Sequence, residues 1–234
     1  MSTPDPALLS AVRDALARVG DPERAGAQRA YMKSALPYRG LSAPELRALL
    51  RPILAEHRIS DRATWEATSR ELWDGATHRE EWCATLGLLR HRHYRAWLDP
   101  DLLPLCRHLV RTGAWWDVVD EIASHLVGGV LAGHRTTVTP VMSDWAVEGD
   151  LWTRRTAILS QLRRREGTDP TLLADVLDQN LEDSAYGQQF FIRKAVGWAL
   201  REYGHTDPAF VSAYVAGRDD RLSGLSRREA MKHL

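Results

Sequence analysis

The strongest constraint on how this chain folds is a start signal that recurs along it. Ser42, Asp61, Asp150, Asp169 and Asp207 each stand just ahead of a stretch with apolar residues at helical spacing. A short polar side chain at that place accepts from the free N–H groups of a first helical turn. The stretch Ser42-Ala43-Pro44-Glu45 adds the glutamate of a capping box. Asp169 and Asp207 are each followed by proline, which suits a first helical position. Behind these signals the apolar residues recur every three to four positions, as Leu46, Leu49, Leu50, Ile53 and Leu54 do. The spacing predicts helices over 8–19, 24–36, 43–57, 77–89, 102–110, 112–128, 134–147, 151–165, 170–181, 187–203, 208–216 and 226–234, and one capped by Asp61 that carries Trp65 and Leu72, with the HRHYR stretch near Tyr94 as a loop. No segment sustains the period-two alternation of a strand. Short helices that pair at intervals of roughly forty residues are the pattern of HEAT-type arrays. The expectation is therefore an all-α fold: a single-domain α-solenoid over residues 1–234, whose successive inner helices form a concave face.

Composition narrows the function classes. The formal net charge is zero, which argues against a protein that coats nucleic acid by bulk charge. Lys33, Lys194 and Lys232 are the only lysines, so arginine carries the positive charge. Arginine suits bidentate phosphate contact, although a composition bias produces the same excess. Cys83 and Cys106 form no CxxC pair or disulfide framework. There is no signal-peptide pattern and no apolar run long enough to span a bilayer, so a cytoplasmic protein without membrane attachment is expected. P-loop, GxGxxG, HExxH and GxSxG motifs are absent, and His91 and His93 lack a third ligand at metal-binding spacing. Neither a metal nor a cofactor is expected.

Chemistry concentrates in TGAWWDVVDEIASHLVG, Thr112–Gly128. Trp116 and Asp120 are four residues apart and share one helical face, beside a stripe of Val118, Val119, Ile122, Ala123 and Leu126. That face is either a reaction site or a buried anchor, with Asp120 pairing to Arg155. Two later stretches are basic without any acid: 151–165, with Arg154, Arg155, Arg163, Arg164 and Arg165, and 188–201, with Arg193, Lys194 and Arg201. Solvated helix faces and a phosphate-binding groove both account for them. Trp116, Trp152 and Trp198 fall in successive candidate repeats. A helical tryptophan is usually core, but Trp116 shares its face with Asp120.

The segments AYMKSALPYRGLSAPELRALL, TGAWWDVVDEIA, LWTRRTAILSQL, QQFFIRKAVGWALREYGHTDP and LSRREAMKHL resemble the AlkD-type DNA alkylation repair family, HEAT-like-repeat glycosylases that excise N3- and N7-alkylated purines. They run in order from Tyr31 to Leu234. The resemblance implies a catalytic set of Asp120, Trp116, Trp198 and Arg155. The two indoles and the aspartate would cradle the lesion-bearing deoxyribose, with Arg155 supporting the aspartate and the DNA backbone. It places Tyr31, of the YMK motif, near the lesion on the N-terminal side, and makes Lys33 of the same motif a DNA-binding candidate. Arg154, Arg163, Arg193, Lys194 and Arg201 become candidate phosphate contacts. Gly87 stands where relatives carry an acid, which reads as a packing change.

The resemblance thus implies a monomeric, monofunctional DNA glycosylase acting on duplex DNA that contains alkylated purines, in base excision repair. A non-catalytic member that recognises DNA structure, and a helical scaffold for a protein partner, are the alternatives.

Overall fold

The computed structural model describes residues 3–234, and all its regular structure among them is helical. The capping signals work as the sequence predicts. Ser42 and Glu45 form the reciprocal capping box at the start of α3 (Ala43–Glu56). Asp61 accepts from the Thr64 N–H, and Asp150 from the Thr153 N–H, both at 2.8 Å. Asp169 and Asp207 cap helices that open on proline. Among the described residues no helix is long and apolar enough to cross a membrane.

The chain clusters into two compact units, Met1–Trp97 and Leu98–Leu234. The first holds α1 (Pro6–Ala17), α2 (Pro22–Met32), α3, α4 (Arg62–Asp74) and α5 (Arg79–Leu89). Trp65 and Trp73 are fully buried in it. Buried Glu80 gathers the backbone N–H groups of Arg39, Gly40 and Leu41. Gly40 sits there at φ 91°, where a Cβ would lie 2.1 Å from the Asp21 carbonyl oxygen. The HRHYR stretch is no loop: Arg92–Trp97 is a 3-10 turn. Its cause is Tyr94, whose buried ring stacks on Trp97 at 5.1 Å and lies 5.5 Å from Trp65.

The second unit holds α6 (Leu103–Gly113), α7 (Trp116–Glu121), α8 (Gly128–Gly133), α9 (Arg135–Ala146), α10 (Leu151–Leu159), α11 (Pro170–Asp178), α12 (Phe190–Gly204), α13 (Pro208–Ala216) and α14 (Gly224–Ala230). Its helices form two layers, as helical-hairpin repeats do. In one layer α7 packs on α10, α10 on α12 and α12 on α14; in the other α9 packs on α11. α10 is the centre, buried from Thr153 to Leu159.

Three boundaries near the centre of this unit depart from the sequence expectation. The helix expected over 112–128 starts at Trp116, because Ala114 takes the left-handed conformation at φ 38° and closes α6. It also runs past Gly128. A π-helical turn, Ile122–Val127, joins α7 to α8 without a break. Gly128 is small because a Cβ there would meet the Ser160 carbonyl oxygen at 2.4 Å. The helix expected over 151–165 stops at Leu159. Arg163 and Arg165 adopt φ of 64° and 49°, and the Gln161 side-chain amide bridges both backbone groups of Asp169.

Candidate active site

Three neighbouring helices of one layer deliver the central residues: Asp120 from α7, Arg155 from α10 and Trp198 from α12. Asp120 and Arg155 are 35 residues apart in the chain, about one helical-hairpin repeat. The Arg155 Nε donates to Asp120 Oδ1 at 2.7 Å and Nη2 donates to Oδ2 at 2.8 Å. This is a bidentate fork, the strongest geometry for the pair. The third edge of the guanidinium, Nη1, donates to the Phe191 carbonyl on α12. Arg155 is 1% exposed, whereas the Asp120 side chain keeps 19% of its surface open. The cation is thus fixed inside, and the carboxylate is presented at the surface. Each carboxylate oxygen has two lone pairs, and the fork uses one on each.

Burial pushes the Asp120 carboxyl above its ordinary range, against the pull of Arg155; Asp117 adds to the rise. The ion pair, for all its good geometry, does not outweigh desolvation here. Buried pairs commonly behave so.

The Trp198 ring is ringed by cations. The Arg155 guanidinium lies 5.6 Å from its centroid, Lys194 Nζ 5.8 Å and Arg201 5.9 Å. Lys194 and Arg201 share Glu229 of α14, each at 2.6 Å. The bonded Lys194 ammonium leads the groups that hold the Glu229 carboxyl below its usual range. Two cations on one carboxylate leave a unit of positive charge beside the indole. Trp116 is half-buried one helical turn before Asp120, on the same face. Trp115, just outside α7, turns instead into an aromatic cluster with Trp152 and Phe191, at 6.1 and 5.5 Å.

A sequence model of the family described as DNA alkylation repair enzyme matches residues 12–234. The chain belongs to that family. Membership gives it a role in DNA alkylation repair. Among solved structures, it is similar to one titled a predicted DNA alkylation repair enzyme from Enterococcus faecalis. The identity is 28% and the TM-score 0.81, over 92% of this chain and 97% of that one. No curated protein matches it.

Within this family member, the structure sorts the other sequence candidates. Arg154 is not available to a phosphate. It is 7% exposed, and its guanidinium donates to the carbonyls of Glu148, Val147 and Gln179 and to the Asn180 side chain. It ties α10 to the ends of α9 and α11. Arg163 is exposed in the turn after α10, with Nη1 3.5 Å from His125 Nε2. Arg193 is half-buried on α12. Tyr31 and Lys33 belong to the first unit; Tyr31 is 78% exposed, and Lys33 is the left-handed cap of α2.

Sequence reading passed over Glu229, which organises Lys194 and Arg201. Its signal was an acid alone among Arg227, Arg228 and Lys232. The Phe191 carbonyl left no signal, since a backbone acceptor has no letter of its own.

Proposed function

We propose that this chain is a monofunctional DNA glycosylase that hydrolyses the N-glycosidic bond of cationic N3- and N7-alkylpurines in duplex DNA. The observation that carries this reading is the Asp120 carboxylate, open at the surface and locked from behind by the Arg155 fork.

An N3- or N7-alkylpurine already carries a positive charge, so it leaves without a proton from the enzyme. The remaining demand is to stabilise an oxocarbenium-like sugar and to place the attacking water. One carboxylate of a glycosidase meets the same demand. A carboxylate about 4 Å from a full positive charge, at an effective dielectric near 20, contributes roughly 4 kcal/mol. That is about a thousandfold in rate. The free lone pairs of Asp120 suit it to hold the water as well. Trp116 and Trp198 form walls for the deoxyribose. Because three cations already border Trp198, we assign its role to shape more than to cation–π attraction. Lys194 is the lysine near this site, and its ammonium is engaged by Glu229 at 2.6 Å. A Schiff base needs a free amine, so no lyase step is expected.

The test is release of N7-methylguanine from a methylated duplex, with undamaged duplex in parallel. Free base with an intact abasic strand is the expected outcome. Tight binding of both duplexes with no base released would establish a DNA-binding protein and refute the enzyme.

A further inference from the structure

We propose that the first unit carries a second phosphate site, built by Arg58, His91, Arg92, His93 and Arg95, that holds the backbone of DNA. It rests on DNA as the partner, not on the glycosylase chemistry. These five residues line an open cleft of about 560 Å³ with no acid among them. The 3-10 turn Arg92–Trp97 sets the geometry. Three residues per turn stack positions i and i+3, so Arg92 and Arg95 project from one side. Tyr94 between them points inward, 1% exposed, and its hydroxyl accepts from the Ile59 N–H at 3.0 Å. That bond brings Arg58, the preceding residue, to the same cleft. The rings of His91 and His93 rest against Tyr94 at 5.8 and 5.1 Å.

Packing explains the tyrosine but not the cations around it. Several arginines elsewhere in this unit are matched with acids: Arg13 with Glu71, Arg24 with Asp21 and Glu45, Arg62 with Glu66. Among the described residues, exposed Arg18, Arg47 and Arg51 are not, but none of those three lines the cleft. Among the described residues, Arg58, Arg92 and Arg95 have no carboxylate within ion-pair distance. The charged side chains that line the cleft are correspondingly of one sign. Burial first, then His93, Arg92 and Arg58, hold the His91 imidazole below its ordinary range. Like charges gathered on a braced turn, with no internal counter-ion, are the makings of an oxyanion site. Arginine forks match phosphate oxygens, and an open cleft suits a strand that passes across it.

The experiment uses the full chain and undamaged duplex, so its outcome does not depend on base excision. The R58Q/R92Q/R95Q variant removes three exposed cations. Each phosphate contact contributes about 0.9 to the slope of log affinity against log salt. The variant should bind duplex at least about tenfold more weakly at 0.1 M salt, with a slope shallower by about 2–3 and an unchanged melting temperature. An R18Q/R47Q/R51Q variant, with the same loss of charge on exposed arginines, should keep the wild-type slope. Unchanged affinity and slope in the first variant would overturn the proposal, as would equal losses in both. Calorimetry with inorganic phosphate is the second arm. Phosphate binding to wild type and not to R58Q/R92Q/R95Q, with duplex affinity unaltered, would assign the cleft to a free phosphate and overturn the backbone assignment.

Discussion

Asp120→Asn isolates the charge of the candidate carboxylate at constant shape, and two separate consequences can be worked out for it. The first is kinetic. Losing a carboxylate about 4 Å from a developing cation removes roughly 4 kcal/mol at an effective dielectric near 20. Excision should then slow about a thousandfold. The second is structural. Arg155 is 1% exposed and directs two of its three bonded edges at Asp120. Asparagine offers one acceptor oxygen, and its amide nitrogen would confront an N–H of the guanidinium. Stripping a buried cation of its partner costs about 3–5 kcal/mol, and the partial exposure of Asp120 places the variant at the lower end. A chain of this size should melt roughly 6–12 °C lower. The assay is therefore single-turnover release of N7-methylguanine well below the variant's own midpoint, where it is folded. Affinity for undamaged duplex is measured alongside. Excision should be slow at every such temperature while duplex affinity holds or improves, since a negative charge facing DNA has been removed. A folded Asp120→Asn that excises within about fivefold of wild type would refute the assignment. If excision and duplex binding fell together, Asp120 would be a structural anchor.

The same geometry sets three further outcomes. Because burial raises the Asp120 carboxyl, excision should be lost with acid above the ordinary aspartate range, and Asp120→Asn should lack that limb in a single-turnover pH profile. The sign for stability is opposite to that of a depressed carboxyl. A raised folded value contributes stability below the unfolded value that is lost as pH rises through the folded one. The stability advantage of wild type over Asp120→Asn in urea should therefore shrink across that acidic window. Gly197→Ala would put a Cβ 2.5 Å from Glu229 Cβ and 3.0 Å from the Ser226 carbonyl oxygen. Forcing α12 from α14 should cost about 1–3 kcal/mol, and a higher melting temperature, as helix propensity alone favours, would contradict the close packing. Replacing both members of the pair, as Asp120→Met with Arg155→Met, should give a protein more stable than Asp120→Asn that binds undamaged duplex and releases no base.

Much of this fold could be read from the sequence because its cues are local. The capping aspartates and the capping box depend on residues a few positions apart, and they start α3, α4, α10, α11 and α13 where the structure does. What failed depended on distant partners. Gly128 looked like a helix break, but its missing side chain makes room for the Ser160 carbonyl from another helix. Arg154 and Arg155 are adjacent letters in a basic run, yet one is bonded to the Val147 and Glu148 carbonyls and the other to Asp120. Charge counting cannot separate them, because the helix turns them about 100° apart. The Asp120–Arg155 pairing was foreseeable as one option. Its role as the exposed side of a buried fork needed the burial of each partner.

The charge of Asp120 bears on whether this member of the family reacts with DNA or only grips it. Duplex DNA carries one negative charge per roughly 1.7 Å of its axis, so a surface carboxylate turned toward it weakens binding. The fold does not need the charge either. Burial already opposes it, and replacing a buried ion pair with apolar side chains is often neutral or stabilising by about 1–4 kcal/mol. A protein that only bound DNA would gain on both counts by giving up Asp120 and Arg155 together. A cationic sugar reverses the balance, because the charge that repels the backbone stabilises the one group on the DNA that becomes positive. Arg155 then has a purpose beyond anchoring: it opposes the pull of burial on the carboxyl and holds it still, and its own charge is 1% exposed. The double replacement decides between these accounts, since it removes the electrostatic penalty for binding and the electrostatic gain for reaction in one step.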